Sequence, residues 1–177
     1  MSLAPPSTVQ KLQTALHTKA KGSPDYRFYA LYDKVYRRDV WEEAYARCRA
    51  NGGAAGVDGQ TFADIGAYGL DRWLDELATD LKAKTYRPQP VRRVLIPKPD
   101  GKRRPLGIPR IKDRGVQMAA VLVLEPIFEA DLEPEQHAYR PGRNPHQALN
   151  ALHTALMTQC VYWVLDADFR KFFEMAS

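Results

Sequence analysis

The stretch of sequence that decides the fold is residues 91–108, which read VRRVLIPKPDGKRRPLGI. Two prolines just before it exclude a helix, and Val91 to Pro97 is rich in β-branched and other apolar residues. Pro99-Asp100-Gly101 is a turn sequence, after which Arg103 to Ile108 can return as a second strand. The pattern therefore predicts a two-stranded β-hairpin.

Positive charge is concentrated in and around this hairpin. The 177-residue chain has 26 basic and 21 acidic side chains, a net charge of +5. Residues 84–114 alone contain eleven Lys or Arg and two Asp, so this stretch is +9 and the rest of the chain is −4. Such a concentration attracts phosphates through Coulomb forces and counterion release. The alternative is a solvated basic hairpin whose charges protect its edges from pairing.

Helical patterns lie on both sides of the hairpin. Before it, helices are expected at 7–21, where Ser7 and Gln10 form a capping box, at 25–37, at 39–49 with Asp39 as cap, and at 70–81. After it, a long apolar helix is expected at 113–131, with Pro126 as the place for a bend, and another from Pro145 to Met157. Helices, a hairpin, more helices and a final strand predict an α+β fold.

That final strand is residues 160–168, CVYWVLDAD, which is apolar and aromatic apart from two acids. As a buried strand it would place Asp166 and Asp168 on one face. Buried carboxylates need a partner, and a divalent cation such as Mg²⁺ is one. Capping of the following turn or pairing with an arginine is the alternative, and it stays open on these residues alone.

Other features narrow the class of protein. Cys48 and Cys160 lack the spacing of a disulfide scaffold or of a cysteine zinc site, which favours a reducing cytoplasm. The four histidines show no metal-binding spacing, and no Walker loop, GxSxG or GxGxxG sequence occurs. No apolar run is long enough to cross a membrane, and residues 1–21 do not read as a signal peptide.

One loop carries two guanidinium groups on a stiff turn, Tyr139-Arg140-Pro141-Gly142-Arg143. Composition alone favours a connecting turn over a functional loop.

Taken together, these pieces resemble the reverse transcriptases encoded by bacterial group II introns, also called maturases. The resemblance covers about 11–174 and rests on five ordered segments: 27–34 (RFYALYDK), 51–59 (NGGAAGVDG), 96–109 (IPKPDGKRRPLGIP) followed by Asp113-Arg114, 139–143 (YRPGR) and 166–174 (DADFRKFFE). The chain departs from the family pattern at Tyr139, Asn144 and Glu174, where Phe, Ser and Asp are usual.

The resemblance implies a right-hand polymerase organisation and a role for particular residues. It divides the chain into a helical N-terminal extension (1–50), fingers (51–158) and the start of a palm (159–177). Asp168 would be the catalytic aspartate, holding Mg²⁺ with the backbone carbonyl of Phe169, and Asp166 would be a second metal-binding acid. Phe173 would be the steric gate at the sugar 2′ position, and Lys98 and Arg104 would hold the incoming triphosphate.

Seven other basic residues are expected to contact RNA: Arg92, Arg93, Lys102, Arg103, Arg114, Arg140 and Arg143. The expected chemistry is RNA-directed DNA synthesis by two-metal phosphoryl transfer. The partners that the resemblance implies are intron RNA, an RNA template with a DNA primer, and deoxynucleoside triphosphates. A bacterial cytoplasmic location and no membrane partner are expected.

The 177 residues contain no Tyr-Ala-Asp-Asp sequence, which is the usual second palm motif of the family. Two-metal catalysis needs carboxylates from both palm motifs, so we expect an N-terminal fragment that binds RNA but does not polymerise alone. Apolar residues around Trp163 and Leu165 are expected to be left exposed and to promote aggregation or a homodimer. The alternatives are an RNA-binding, splicing-assistance module and a domesticated, defence-associated reverse transcriptase.

Overall fold

The computed structural model describes residues 7–97, 99 and 101–168. The chain divides into two compact units, Met1–Asp131 and Leu132–Ser177. In the described part of the first unit the elements are α1 (Thr8–Gly22), α2 (Tyr32–Val35), α3 (Arg38–Asn51), α4 (Phe62–Tyr68), α5 (Leu70–Lys82), β1 (Arg92–Pro97), β2 (Arg103–Ile108) and α6 (Ile111–Glu129). The second unit contains α7 (Pro145–Thr158). Helices and one antiparallel sheet confirm the α+β prediction at this level.

The core of the first unit is built by the apolar faces of α1, α3, α5 and α6. Trp41 of α3, Leu77 of α5 and Leu122 of α6 are fully buried in one cluster. In α5 the buried positions are 73, 74, 77 and 81, the three-to-four spacing that places side chains on one face of a helix. Gly115 of α6 lies directly against Trp41, so α3 and α6 approach closely where no side chain separates them.

Polar caps fix where several helices begin. Ser7 and Gln10 form the predicted capping box of α1, with the Gln10 amide donating to the Ser7 hydroxyl at 3.2 Å. The short helix α4 was not predicted, although Thr61 and Asp64 form the same device before it. For α3 the prediction was wrong by position, because the helix begins at Arg38 and Asp39 lies in its first turn.

The prediction of a helix over 25–37 is wrong for most of its length. Only the four residues of α2 are helical there. Tyr26 and Phe28 instead contact each other edge-to-face, with ring centroids 5.0 Å apart, and Phe28 packs against the core. Aromatic residues have modest helix propensity, so this tertiary packing decides the local structure.

The hairpin forms as predicted. Its register pairs Arg92 with Ile108 and Pro97 with Arg103. Alternate residues of a strand face opposite sides, so each face of the hairpin carries two arginines. One face has Arg92 and Arg104, which we call the apolar face because Val94, Ile96 and Leu106 lie on it; the other has Arg93 and Arg103 and is called the proline face after Pro97 and Pro105.

The prediction of a buried strand over 160–168 is wrong. These residues belong to no helix or strand, and the Trp163 and Leu165 side chains are 92% and 91% exposed. A strand exists only when a neighbouring strand satisfies its backbone, and the one sheet in the described part of the chain is the β1–β2 pair. The apolar character of this segment was read correctly, but its burial was not.

Within the described part of the chain, every helix is too short or too polar to cross a membrane.

Candidate nucleic-acid interface

The hairpin presents its positive charge to solvent. Arg92, Arg93, Arg103 and Arg104 are exposed on the two strands, and Lys102 is exposed just before β2. Lys102 also has an interaction within the chain. Exposed guanidinium groups on a rigid two-stranded element suit phosphate binding, since each can donate two parallel hydrogen bonds to one phosphate.

A buried carboxylate lies where the hairpin joins the helices. Asp113, in the first turn of α6, is 3% exposed. Its oxygens accept hydrogen bonds from Arg110 Nε at 3.0 Å and Nη2 at 3.1 Å, from the backbone amide of Gln89 at 3.4 Å, and from the Tyr86 hydroxyl. Arg110 and Asp113 therefore form a bidentate, largely buried ion pair.

The ionisation of this group follows from its contacts. Burial would raise the pKa of Asp113, but the hydrogen bonds from Arg110 and Tyr86 outweigh it and leave the pKa below its ordinary value. Burial and the bond to Asp113 raise the pKa of Tyr86. The hydrogen bond to Asp113 raises the pKa of Arg110. At neutral pH the cluster therefore holds an ionised carboxylate, a charged guanidinium and a neutral phenol.

The glycine-rich loop at 51–59 is seated on the start of α6. Arg114 donates to the carbonyl of Gly52 at 3.0 Å, to the carbonyl of Ala54, and to that of Pro109 at 3.2 Å. At Gly56 the loop comes so close that a Cβ would lie 2.6 Å from the Arg110 Cα. This loop therefore packs against the beginning of α6. The Arg114 guanidinium, which was expected to contact RNA, donates its hydrogen bonds to backbone carbonyls of the chain itself.

A cavity of about 280 Å³ opens beside Arg110. It is lined by both signs of charge, with Asp58 and Glu76 opposite Arg110 and Lys112. Lys112 is also paired with Asp80, at 2.9 Å. This balance does not favour a polyanionic ligand in the cavity, whereas the charged side chains on the two strands of the hairpin are all positive.

In the second unit the loop at 139–143 is a compact turn. The Arg143 amide donates to the Arg140 carbonyl at 3.2 Å, and Tyr139 and Gly142 have positive φ angles of 58° and 71°. The Arg140 side chain donates to the carbonyls of Glu133, at 2.6 Å, and Gln136, at 3.0 Å. Arg143 is exposed. Arg140 thus closes the preceding loop, while Arg143 stays accessible to a ligand.

The two acids at the end of the described chain are exposed. Asp166 and Asp168 follow the exposed apolar residues 161–165, and each is accessible to solvent. Their carboxylate oxygens are the hard ligands that Mg²⁺ prefers. Within 7–97, 99 and 101–168, no group of three or more His, Cys, Asp or Glu side chains is assembled to hold a metal. The donor chemistry fits Mg²⁺, but these residues supply only part of a site.

Several predicted site residues lie outside the described residues: Lys98, Phe169 and Phe173. Arg104 lies in the first unit and Asp168 in the second. The sequence did not predict the cluster of Tyr86, Arg110 and Asp113, because its members are up to 27 positions apart and no local pattern brings them together.

Comparison with known proteins bears directly on these motifs. Residues 96–175 match the profile of the family described as reverse transcriptase (RNA-dependent DNA polymerase). The matched region begins in β1 and ends beyond the two acids, so it contains both the hairpin turn and the proposed palm motif.

Individual relatives extend the likeness over most of the chain. The group II intron-encoded protein LtrA of Lactococcus lactis subsp. cremoris is 34% identical over 152 residues, which is 85% of this chain and 24% of that protein. Over most of its length the chain is therefore similar to a protein encoded by a group II intron. Protein YkfC of Escherichia coli is 34% identical over 172 residues, 94% of this chain and 45% of that protein. An uncharacterised 91 kDa protein in the cob intron of Schizosaccharomyces pombe is 31% identical over 142 residues, 80% of this chain and 17% of that protein.

The resemblance to the reverse transcriptases encoded by group II introns, also called maturases, is therefore confirmed. The chain spans less than half the length of each of these three relatives. Two of these three names refer to introns, those of LtrA and of the 91 kDa protein.

Proposed function

We propose that the hairpin is the phosphate-binding part of the fingers of a group II intron reverse transcriptase. On this proposal it contacts RNA through Arg92, Arg93 and Arg103 and the triphosphate of an incoming deoxynucleotide through Arg104. The observation that carries the proposal is a projecting hairpin with two exposed arginines on each face, inside a region that matches the reverse transcriptase family. A hairpin that only needed protection from edge pairing would not require its charges on both faces.

We further propose that Asp168, with Asp166 and the backbone of Phe169, contributes ligands to a Mg²⁺ site, and that Lys98 and Phe173 act at the nucleotide. The metal would stabilise the charge that develops on the transferred phosphoryl group. The position of both acids inside the region that matches the reverse transcriptase family supports this assignment.

The interface is tested by the salt dependence of binding to single-stranded RNA. The logarithm of the association constant falls linearly with the logarithm of the salt concentration, and each phosphate contact that is lost reduces the magnitude of this slope by about 0.7. The proline-face variant, Arg93→Gln with Arg103→Gln, removes two proposed RNA contacts and should lower the slope by about 1.4. The matched apolar-face variant, Arg92→Gln with Arg104→Gln, removes the same charge but one RNA contact, so about 0.7 is expected.

Equal changes in the two variants would mean diffuse attraction instead of a defined interface. No change in either would refute the assignment of RNA binding to the hairpin.

Polymerisation is tested separately by primer extension with the purified 177-residue chain. We expect no incorporation of deoxynucleotides, because the chain contains no Tyr-Ala-Asp-Asp sequence to supply the second set of carboxylates. Robust incorporation by this chain alone would contradict the proposal.

A second candidate function for the chain by itself is RNA binding that assists splicing. The surroundings of Asp166 and Asp168 favour it, since no third acid is gathered beside them in the described part of the chain. Filter binding with intron RNA against a random RNA of equal length decides between specific and purely electrostatic recognition.

We also propose that copies of the chain associate through the exposed apolar residues of 161–165. Light scattering at high protein concentration tests this, and a clean monomer would count against it.

A further inference from the structure

The hairpin is attached to the rest of the first unit at its base. All residues of β1 are exposed, as are all of β2 except Ile108, which is partly buried. The two strands pair with each other and are not covered by a helix on either face in the described part of the chain. Its orientation is therefore decided where the two strands enter and leave the helical body.

One carboxylate holds both of those connections. Tyr86 and Gln89, which donate to Asp113, lie in the segment leading from α5 into β1. Arg110, which donates to the same carboxylate twice, follows β2 after one intervening residue. Asp113 thus ties the incoming and the outgoing ends of the hairpin to one turn of α6.

That turn is itself fixed to the core. Ile111 is 1% exposed, and Gly115 lies against the buried Trp41. Arg114, between them, bonds to the loop at 52–54. Asp113 therefore lies on a turn that is packed against the core, while both strands of the hairpin are exposed to solvent.

The length of the hairpin makes this junction sensitive. Six residues at roughly 3.4 Å each give a strand of about 20 Å, so a rotation of roughly 10° at the base moves the tip by about 3.5 Å. Binding groups need to be held within about 0.5 Å of their productive geometry. A small rotation of the hairpin at Asp113 would therefore displace the arginines near its tip by more than binding tolerates.

From this geometry we propose that Asp113 is a positioning residue that sets the angle of the hairpin on the helical body. Its effect on nucleic-acid and nucleotide binding rests on the function proposed above. The alternative is that the buried ion pair serves only stability. That role is a weak reason for such a pair, because apolar replacement of both partners is often neutral or stabilising.

The angle between the hairpin and the helical body is monitored by distances between two spin labels, measured by double electron–electron resonance in the full 177-residue chain. Spin labels are attached through Ala46→Cys on α3 and Leu95→Cys on β1, both at exposed positions. The native thiols are removed as Cys48→Ala and Cys160→Ser. The otherwise unchanged chain should give one narrow distance distribution.

Two variants remove the restraint in different ways. Asp113→Asn keeps an acceptor for Tyr86 but loses the charge, and the pair Arg110→Met with Asp113→Leu removes both charges and leaves neither buried alone. Both should broaden the distribution at least twofold while circular dichroism shows the helices intact. The matched control, Asp80→Asn, removes the charge that pairs with Lys112 on the same turn of α6. It keeps the Asp80 backbone carbonyl, which accepts from the amides of Thr85 and Tyr86, so the width should be unchanged.

Unchanged widths in both Asp113 variants would overturn the proposal, as would equal broadening in the Asp80 control. RNA titrations on the same samples separate this result from the proposed function. If the unchanged chain does not bind RNA, the proposed function fails while the distances still decide the positioning role. If the distribution broadens in a chain that binds RNA, the salt slope should fall as well, and an unchanged slope would overturn the link between angle and binding.

Discussion

The contact between α3 and α6 predicts opposite effects of one substitution at two helical glycines. At Gly115 a Cβ would lie 2.8 Å from Cζ3 of the fully buried Trp41, about 0.7–1.2 Å inside the usual carbon–carbon separation. At Gly66, within α4, a Cβ would have nothing within 4 Å. Gly115→Ala therefore forces the core to move, whereas Gly66→Ala does not.

Whether each substitution stabilises or destabilises the chain depends on the balance between helix propensity and steric cost. Replacing Gly by Ala in a helix is favourable by about 0.8–1.0 kcal/mol, and this gain is shared by both variants. Overpacking a well-packed core costs about 1–3 kcal/mol, and only Gly115→Ala incurs this cost. We expect Gly66→Ala to raise the free energy of unfolding by up to about 1 kcal/mol, and Gly115→Ala to lower it by up to about 2 kcal/mol.

Urea unfolding followed by circular dichroism measures both values, and their difference isolates the steric cost. If Gly115→Ala stabilises the chain as much as Gly66→Ala does, the close approach of α3 and α6 is wrong.

Three further predictions test other parts of the first unit. Tyr86→Phe should lower the free energy of unfolding by about 1.5–3 kcal/mol at pH 7, because ionised Asp113 loses a donor. Because the pKa of Tyr86 is raised in the folded chain, the free energy of unfolding of the unchanged protein should fall as the pH rises above about 10, and Tyr86→Phe should lack that fall. If the free energy of unfolding of both proteins falls in parallel above a pH of about 10, the hydrogen bond to Asp113 is contradicted. Arg114→Lys should accelerate amide hydrogen exchange in the loop at 52–59, and unaltered exchange would show that the guanidinium does not hold it. Leu77→Ala should cost about 2–5 kcal/mol, against about 0.5 kcal/mol or less for Leu149→Ala at an exposed position; equal costs would contradict the core.

The elements that were predicted correctly have signals that are local in the sequence. The hairpin is marked by prolines before it and by a Pro-Asp-Gly turn, so neither strand depends on a distant partner. The start of α1 is marked by Ser7 and Gln10, which satisfy each other within one turn. The apolar spacing of α5 predicts both its helix and its buried face.

The elements that were predicted wrongly depend on contacts between distant residues. The segment 24–31 follows the packing of Phe28 against the core, which no spacing along the chain announces. The segment 160–168 has the composition of a strand, but a strand needs a partner, and composition does not say which residues provide one. The short helix α4 is too brief for its apolar pattern to be recognised, although its capping residues were visible.

The candidate site was predictable in part for the same reason. The arginines of the hairpin were assigned from charge density and motif, and their exposure agrees with a role in binding. The hydrogen-bonded cluster at the base of the hairpin was not predicted, because Tyr86 and Arg110 contact Asp113 only in the folded chain. The assignments of Lys98, Phe169 and Phe173 remain predictions of the resemblance.

Ultraviolet crosslinking of the 177-residue chain to single-stranded RNA, with the attached peptides mapped by mass spectrometry, tests the central claim most directly. If the hairpin binds RNA, the dominant crosslinks will fall within residues 92–108 and disappear at high salt. Crosslinks that concentrate on α4 and α5 instead, with the hairpin unmodified, would contradict it.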